Sequence, residues 1–570
     1  MRTALSPSVT TTASIPEQRG PVDGERSTEL SLPCPPTDGE KYLYLGREHR
    51  WIFPCSAAAF ILVAVSLTLF SWGHPPLLLF LAPLTLYSVT MLVSGMTSFR
   101  ASSVTGRDHR AKVAAWVPEH MATVDVFLPS AGEPLAILRN TYEHVSRMSW
   151  PGQITVYVLD DSARGEVQDL ARSFGFVYQS RPNRGELKKA GNLRHGYENS
   201  SGEVIVVLDA DFVPRPDYLY ELMPYLDDPE VGIVQSPQYF STDRSMHWLE
   251  RHAGVTQEMF YRWIQPSRDR FGAAICVGTC AVYRRTALDA AGGFAQISHS
   301  EDVHTGVGLM RKGYRVKYVP IIVSKGICPG TFSAFVNQQY RWCTGSMSLF
   351  RNPTFHRDAS ISRRQRLSFL AGFLYYISTA VNVLIAPFPP LIMLWALTED
   401  VHPMNSIWML GPVLMWALVY PLVHKASWGL ATMRVQYLYS WAHVVAIINT
   451  ATNSTKGWVA TGAAGGRTPI ATSVRRVMLT HGLMAQTLTI AGLIVGAARF
   501  GWQEFWAMGV LACANAYVVL PSLWVALPQG LTDSVRASLR RLTKSVPAAE
   551  GSPTPSSIHR AGSRAVDAGA

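Results

Sequence analysis

Two blocks of continuous apolar sequence flank a central stretch in which short apolar runs alternate with polar segments. The first block holds apolar runs at about 52–72 and 77–99, and each is long enough to cross the ~30 Å hydrocarbon core of a bilayer. Four further runs follow the central stretch, at about 367–397, 407–423, 477–498 and 504–527. The pattern predicts a multi-pass membrane protein with six spans, and seven or eight are the alternative counts.

The central stretch has the alternation of an α/β fold. Its β-branched runs are separated by segments of helical character such as 135–147 and 167–174. The runs with strand character lie at 124–128, 154–159, 204–208 and 232–234. Such alternation indicates a mostly parallel sheet with crossover helices, and in these sheets ligands bind beyond the carboxyl ends of the strands.

Composition divides the 570 residues, 48% of them hydrophobic, into five parts. The Pro- and Ser-rich ends, 1–45 and 531–570, are predicted to be disordered tails, the second of them basic. Between them we predict a transmembrane hairpin at 46–100, a cytosolic α/β domain at 101–366 and a transmembrane bundle at 367–530. Within the bundle, the amphipathic pattern of 436–449 predicts an interfacial helix.

The charge pattern predicts the orientation. The chain has 51 Lys and Arg against 40 Asp and Glu, and the excess lies largely beside the apolar runs and in the tail. By the positive-inside rule, Arg47, Arg50 and Arg100 place both ends of the hairpin in the cytosol. We therefore expect a plasma or inner membrane protein whose central domain and termini are cytosolic. Nucleic acid is not an expected partner, because 531–570 lacks interleaved aromatic residues, and contact with anionic lipid is preferred.

Acidic side chains follow three of the predicted strands. Glu133 follows the first, Asp160 and Asp161 follow the second, and Asp209 and Asp211 follow the strand at 204–208. Two carboxylates at i and i+2 can offer oxygen ligands to a Mg²⁺ or Mn²⁺ ion that bridges a diphosphate. Strand-end aspartates also cap turns and helices, so that structural role is the alternative for the pair taken alone. Acidic residues at the ends of three predicted strands favour one binding site to which all three contribute.

Four motifs in a fixed order carry a family resemblance. They are Asp160-Asp161, Asp209-Ala210-Asp211, Ser300-Glu301-Asp302 and Gln338-Gln339-Tyr340-Arg341-Trp342. With spans on both sides, the sequence resembles the processive family 2 glycosyltransferases, the superfamily of cellulose, chitin and hyaluronan synthases. The resemblance implies a GT-A fold, an α/β Rossmann-like nucleotide-sugar domain inserted between transmembrane helices, and inverting transfer from a uridine diphosphate sugar.

The resemblance also implies the donor site. It places Glu133, Asp160 and Asp161 near the uridine and Lys189 near the diphosphate, and it makes Asp209 and Asp211 the ligands of Mg²⁺ or Mn²⁺. A solvated helix face is the alternative for Lys189. In the last motif, Gln338 and Arg341 are expected to contact the nucleotide sugar, since a guanidinium suits a diphosphate.

The acidic motif supplies the candidate catalytic residues, Asp302 with Glu301 beside it. An acceptor hydroxyl must lose a proton as it attacks the anomeric carbon, and Asp302 is the expected base. The alternative for Asp302 is an N-cap or surface acid of a helix at 303–312. Trp342 is expected to stack on a sugar face at the start of the acceptor tunnel. A membrane-surface anchor is the alternative for Trp342, and both roles can hold together.

Two further segments resemble the family more loosely. Residues 276–285 resemble its acceptor-site stretch, which implies acceptor contacts for Gly278 and Thr279, although Val277 stands where Cys is usual. Residues 456–462 resemble the gating loop that closes over bound nucleotide, which implies that role for Trp458 and Thr461.

The motifs restrict the identity of the product less than they restrict the fold or the type of reaction. Residues 234–240 resemble cellulose synthases, so we expect polymerisation of UDP-glucose into a β-1,4-glucan that the same chain moves across the membrane. The alternatives are a mixed-linkage or β-1,3-glucan, an N-acetylglucosamine polymer, or single transfer to a lipid carrier. A transporter with a degenerate domain is disfavoured, because the acids are present. A periplasmic or cell-surface partner is expected, whereas a direct cyclic di-GMP site is not, since 531–570 is low-complexity.

Overall fold

The computed structural model describes residues 32–46, 49–455 and 468–528. Two long apolar helices and two short polar ones precede the central domain. These are α1 (Asp38–Lys41), α2 (Ile52–Gly73), α3 (Leu81–Ser98) and α4 (Gly106–Ala115).

The central domain is built on two sheets. In the described residues the larger sheet has seven strands in the order β3-β2-β1-β4-β8-β6-β9, and the smaller has the order β5-β10-β7. The strands are β1 (Val124–Ser130), β2 (Ile154–Asp160), β3 (Val177–Gln179), β4 (Val204–Val207), β5 (Val213–Pro214), β6 (Val231–Gln235), β7 (Tyr239–Phe240), β8 (Ala281–Arg284), β9 (Arg315–Tyr318) and β10 (Ser324–Gly326). In the larger sheet only β8 runs antiparallel to its neighbours. The predicted mostly parallel α/β fold is confirmed.

Helices cover both faces of the larger sheet because their apolar side chains recur at helical spacing. For example, Leu138, Tyr142 and Val145 of the helix Leu135–Val145 are buried in one cluster with residues of β1. The helices of this part are α5 (Leu135–Val145), α6 (Gly165–Ser173), α7 (Lys188–Glu198), α8 (Tyr218–Leu222), α9 (Trp248–Met259), α10 (Gln265–Arg270), α11 (Arg285–Ala291), α12 (Glu301–Met310), α13 (Phe332–Phe350) and α14 (Pro353–Arg357).

Register brings the ends of the central strands to one edge. Ser130 at the end of β1 pairs with Asp160 at the end of β2, and Phe127 pairs with Val207 at the end of β4. Asp209 and Asp211 therefore leave the sheet beside the end of β1, which is the edge where the sequence predicts the site.

Six helical segments are long and apolar enough to cross a membrane, among the residues described. They are Ile52–Gly73, Pro75–Ser98, Arg363–Trp395, Pro403–Val423, Pro469–Phe500 and Trp502–Ala526, which agrees with the six predicted spans. The third is broken around Pro387 into α15 (Arg363–Ile385) and α16 (Phe388–Trp395). The remaining helices are α17 (Leu410–Leu414), α18 (Tyr420–Val423), α19 (Ala431–Ala451), α20 (Pro469–Phe500) and α21 (Trp502–Ala526).

One long helix of the bundle, α19, contains the predicted interfacial segment. It packs against α13 of the central domain and against α15, α20 and α21 of the bundle. Trp441 and His443 on this helix are fully buried by protein. The helix therefore connects the catalytic domain to the spans, and its location at the membrane interface stays a prediction.

Candidate active site

Asp160 ends β2 and organises the turn that follows. One carboxylate oxygen accepts a hydrogen bond from the backbone N–H of Ser162 at 2.9 Å. The other accepts from the backbone N–H of Arg164 at 3.0 Å and from the Tyr178 hydroxyl at 3.1 Å. Asp160 is fully buried, so its carboxylate shapes this edge of the site.

Asp161 forms a bidentate ion pair with Arg181. Arg181 Nε and Nη2 donate to the two carboxylate oxygens at 2.6 and 2.7 Å. The same guanidinium donates to the Lys188 carbonyl at 3.1 Å, so it connects the end of β2 to the start of α7. Sequence reasoning missed Arg181, because it lies in an irregular loop with no periodic pattern.

Lys189, on the first turn of α7, lies inside the site. Its ammonium contacts the Asp209 carboxylate and donates to the Gly278 carbonyl at 2.7 Å. Burial alone lowers the pKa of Lys189, but the negative charges of Asp209 and Glu301 outweigh burial and leave the pKa raised. The solvated-face alternative for Lys189 is therefore wrong, and the side chain stays cationic between acidic groups.

Glu133 and Asp211 lie near Asp209 and repel it. Burial, with a smaller effect from Asp209, raises the pKa of Glu133. Burial and the charge of Asp209 raise the pKa of Asp211 to about 7. The acids that follow β1 and β4 therefore face one small volume, where a further cation would be stabilised.

The donor set in that volume suits a hard divalent cation. No group of three or more His, Cys, Asp and Glu side chains forms a metal cage anywhere in the described part of the chain. Asp209 and Asp211 instead offer two carboxylates, and Mg²⁺ is often held by one or two carboxylates together with substrate phosphates. The residues fit the predicted metal.

A tight loop, 276–280, closes the opposite side of the site. The buried Gln235 holds this loop, because its amide nitrogen donates to the Thr279 carbonyl at 2.8 Å and its oxygen accepts from the Val277 N–H at 2.9 Å. The Thr279 hydroxyl accepts from the Asp209 N–H at 2.8 Å. Sugar-acceptor contacts for Gly278 and Thr279 stay a prediction. The structure shows Gly278 accepting from Lys189 and Thr279 accepting from the Asp209 backbone.

Asp302 lies directly against this loop. A Cβ on Gly278 would lie 2.8 Å from Asp302 Oδ2, and Gly278 has a φ of +77°, so glycine suits both the space and the backbone. Ser300, with a left-handed φ of 51°, is the N-cap residue of α12, so the N-cap alternative for Asp302 is wrong. Asp302 lies one residue inside the helix, where its Oδ1 accepts from the Val303 N–H at 2.7 Å.

The electrostatics of Asp302 suit a proton acceptor. Burial and the adjacent Glu301 raise its pKa to about 7, while the cationic Lys189 and Arg341 act in the opposite direction. A carboxyl group with a pKa near neutrality can take a proton and is still largely ionised at slightly alkaline pH.

The last motif lies on α13, which packs against the start of α12. Arg341 faces Asp302 closely enough to stabilise its charge. The Tyr340 hydroxyl accepts from Asn449 of α19 at 3.0 Å, which fixes α13 against the bundle. Contacts of Gln338 and Trp342 with donor or acceptor stay predictions. Trp458 and Thr461, the predicted gating residues, lie outside the described residues.

One family model matches the second part of the central domain and continues into the bundle. Residues 204–453 match the model described as "Glycosyl transferase family group 2". This segment contains Asp209, Asp211, Asp302 and Arg341. Over this segment the chain is similar to glycosyl transferase family group 2. Its central domain is a mixed α/β domain flanked by candidate membrane spans.

The glycosyltransferase segment is similar to curated cellulose synthases. The cellulose synthase catalytic subunit [UDP-forming] of Xanthomonas axonopodis pv. citri is 35% identical over 261 residues, 45% of this chain and 35% of that protein. The protein of the same name from Komagataeibacter sucrofermentans is 31% identical over 302 residues, 49% of this chain and 40% of that protein. The match therefore spans less than half the length of these relatives.

Solved structures similar to this chain have lower identity. The mannosyltransferase PcManGT from Pyrobaculum calidifontis, in complex with GDP-Man and Mn²⁺, is 16% identical with a TM-score of 0.42, covering 70% of this chain and all (100%) of that one. Glucosyl-3-phosphoglycerate synthase from Mycobacterium tuberculosis, in complex with Mn²⁺, UDP and glucosyl-3-phosphoglycerate, is 19% identical with a TM-score of 0.26, covering 40% of this chain and 77% of that one.

Proposed function

We propose that this glycosyltransferase adds sugar units from a UDP-sugar to a growing polysaccharide with inversion at the anomeric carbon. The observation that carries the proposal is the convergence of Asp209, Lys189 and Asp302 on the loop 276–280. A proton acceptor, a cationic side chain and a carboxylate pair for a metal then surround one volume. These are the groups that are needed to activate an acceptor hydroxyl and to stabilise a departing diphosphate.

In the proposed step the acceptor hydroxyl oxygen attacks the anomeric carbon of the donor sugar. Asp302 takes the hydroxyl proton, the new glycosidic bond forms, and the bond to the β-phosphate oxygen breaks. UDP leaves with that electron pair. Lys189 and Arg341 are cations placed to stabilise the negative charge that develops on the diphosphate.

Asp209 and Asp211 are the residues that would hold Mg²⁺ or Mn²⁺. When bound, the cation neutralises charge on the leaving diphosphate. The Lys189 ammonium already pairs with Asp209, which supports a site whose acids require positive charge. Glu133, Asp160, Asp161 and Gln338 are assigned to donor binding in the same proposal.

We propose UDP-glucose as the donor and a β-1,4-glucan as the product, with the catalytic domain and both termini in the cytosol. The names of the curated relatives support this choice. The packing of α13 against α19 supports delivery of the chain from the site into the spans. Trp342, Gly278 and Thr279 would contact the acceptor, and Trp458 and Thr461 would close over the nucleotide.

The test is incorporation of labelled sugar into high-molecular-weight product by the full-length protein in lipid vesicles. UDP-glucose, UDP-N-acetylglucosamine and UDP-glucuronate are compared, each with Mg²⁺ or Mn²⁺, and Asp302→Asn is the control. We expect polymer from UDP-glucose that a β-1,4-glucanase digests, and none from the variant. A single sugar transferred to lipid would replace polymerisation by transfer to a carrier. Failure to release UDP from any donor would overturn the proposal.

A further inference from the structure

A cavity of about 200 Å³ lies where α14 meets the start of α15. Its lining contains no residue of the four motifs, and no step of the proposed reaction uses it. Its lining is divided by chemistry. Arg363, Arg366 and His356 form the polar part, and the remaining side chains are apolar.

The positive charges of the polar part are not balanced by acidic side chains. Residues 351–366 contain five Arg and a single acidic residue, Asp358. The Asp358 carboxylate is engaged by Arg311 Nε of α12 at 2.7 Å and by the Ser360 hydroxyl at 2.5 Å. Arg366 donates to the backbone carbonyl of Asp358 instead. The acid nearest to the cavity therefore does not neutralise the arginines that line it.

Two further features of the polar part favour an anion. The Nε of Arg366 is buried and has no hydrogen-bond partner, which leaves a charged donor unsatisfied. Arg363 and Arg366 also lie in the first turn of α15, which contains no acidic residue. The N-terminus of a helix carries a partial positive charge, so cations there are destabilised unless an anion is near.

The apolar part continues from the polar part along the same helix face. Leu367, Leu370 and Phe373 follow Arg363 and Arg366 at helical spacing, and Phe355 of α14 completes the wall. The candidate span Arg363–Trp395 begins at this level. The cavity therefore has its cations at the end where the span begins and its apolar wall in the direction of the bilayer.

We propose that this cavity binds one anionic phospholipid from the bilayer, with the phosphate at Arg363 and Arg366 and the upper acyl chains against the part-exposed Leu367 and Leu370. A free phosphate would satisfy the arginines but would leave the part-exposed side chains of Leu367 and Leu370 uncovered, since Phe355 and Phe373 are already buried by protein. A lipid satisfies both, and it is supplied by the membrane that the span enters. The proposal is independent of the transfer reaction.

The test is native mass spectrometry of the full-length protein in detergent, titrated with dioleoyl phosphatidylglycerol or dioleoyl phosphatidylcholine. We expect the first bound phosphatidylglycerol to be preferred over phosphatidylcholine by on the order of tenfold. Arg363→Gln with Arg366→Gln should abolish this preference. The matched control is Arg357→Gln with Arg364→Gln, which removes two neighbouring charges that do not line the cavity and should keep the preference.

A second variant tests the apolar part without changing a charge. Leu370→Trp places a larger side chain against the acyl-chain wall and should weaken binding of the first phosphatidylglycerol, and it decides the question if the double arginine variant fails to fold. Equal losses in the two double variants would mean general surface charge and would overturn the site. Binding of glycerol 3-phosphate as strong as that of phosphatidylglycerol would overturn the lipid assignment.

Discussion

At the scale of single residues, the pairing of Asp302 with Glu301 determines the expected pH dependence. Burial and the neighbouring Glu301 raise the pKa of Asp302 to about 7. Only the ionised form can accept a proton, so kcat should fall roughly tenfold per pH unit below that pKa and level off above it. The measurement is UDP release at saturating donor from roughly pH 5.5 to 8.5.

A variant of Glu301 tests whether the fall in kcat at low pH comes from protonation of Asp302 or of another group. Glu301→Gln removes the like charge, so the pKa of Asp302 should fall and the acid limb should move to lower pH. Asp302→Asn should lower kcat by about 10³-fold, with the KM for donor retained. An acid limb that stays in place in Glu301→Gln would assign the titration to another group.

The ion pair between Asp161 and Arg181 predicts an effect on donor binding. Arg181→Lys keeps the charge but loses the two parallel hydrogen bonds, so Asp161 and the start of α7 should become less ordered. We expect the KM for the UDP-sugar to rise about tenfold with little change in kcat. Arg184→Lys, at an exposed position of the same loop, is the matched control and should leave both constants unchanged.

At the scale of elements, the contact between α12 and α13 positions the catalytic acid. A Cβ on Gly345 of α13 would overlap with the Ser300 side chain, and Ser300 is the N-cap residue immediately before Glu301 and Asp302. Gly345→Ala should therefore displace the start of α12 and lower kcat by about 10²-fold. Gly308→Ala on α12 introduces the same methyl group where nothing lies within 4 Å. It should retain full activity, and equal loss in both variants would contradict the packing argument.

Element patterns explain which parts of the fold were predictable. β1, β2, β4 and β6 are largely buried apolar runs, and the six spans are long apolar runs, so local pattern alone predicts both sets. The antiparallel strand β8 was not predicted, because its sequence, Ala281–Arg284, is short. It also follows Cys280, which has a left-handed backbone conformation. Its direction depends on the loop 276–280, which is held by the distant Gln235.

The candidate site likewise contains residues that the local sequence predicts and residues that only the folded chain identifies. Asp209, Asp211 and Asp302 were predictable, because each lies in a short motif at the end of a strand or the start of a helix. Arg181 and Gln235 were not assigned, because their partners are 20 and about 40 residues away, and only the folded chain brings them together. The supporting contacts of the site are thus long-range consequences of packing.

At the scale of the whole molecule, a buried carboxylate joins the catalytic domain to the membrane bundle. Glu258 of α9 is 1% exposed. It accepts from Arg262 at 2.7 Å and from the backbone N–H groups of Lys425 and Ala426, each at 2.8 Å. Lys425 and Ala426 follow the end of the span Pro403–Val423. One side chain therefore satisfies three donors from two parts of the molecule.

Glu258→Ala should weaken this junction strongly, because it removes the carboxylate that pairs with the buried Arg262 and accepts from two backbone donors. Loss of one partner of a buried ion pair costs about 3–5 kcal/mol, so the free energy of unfolding should fall by at least about 3 kcal/mol. The measurement is thermal unfolding of the full-length protein in detergent. Glu230→Ala is the matched control, since Glu230 is exposed and lies 4.0 Å from Arg315. An unchanged unfolding temperature in Glu258→Ala would mean that this carboxylate does not stabilise the junction between the catalytic domain and the bundle.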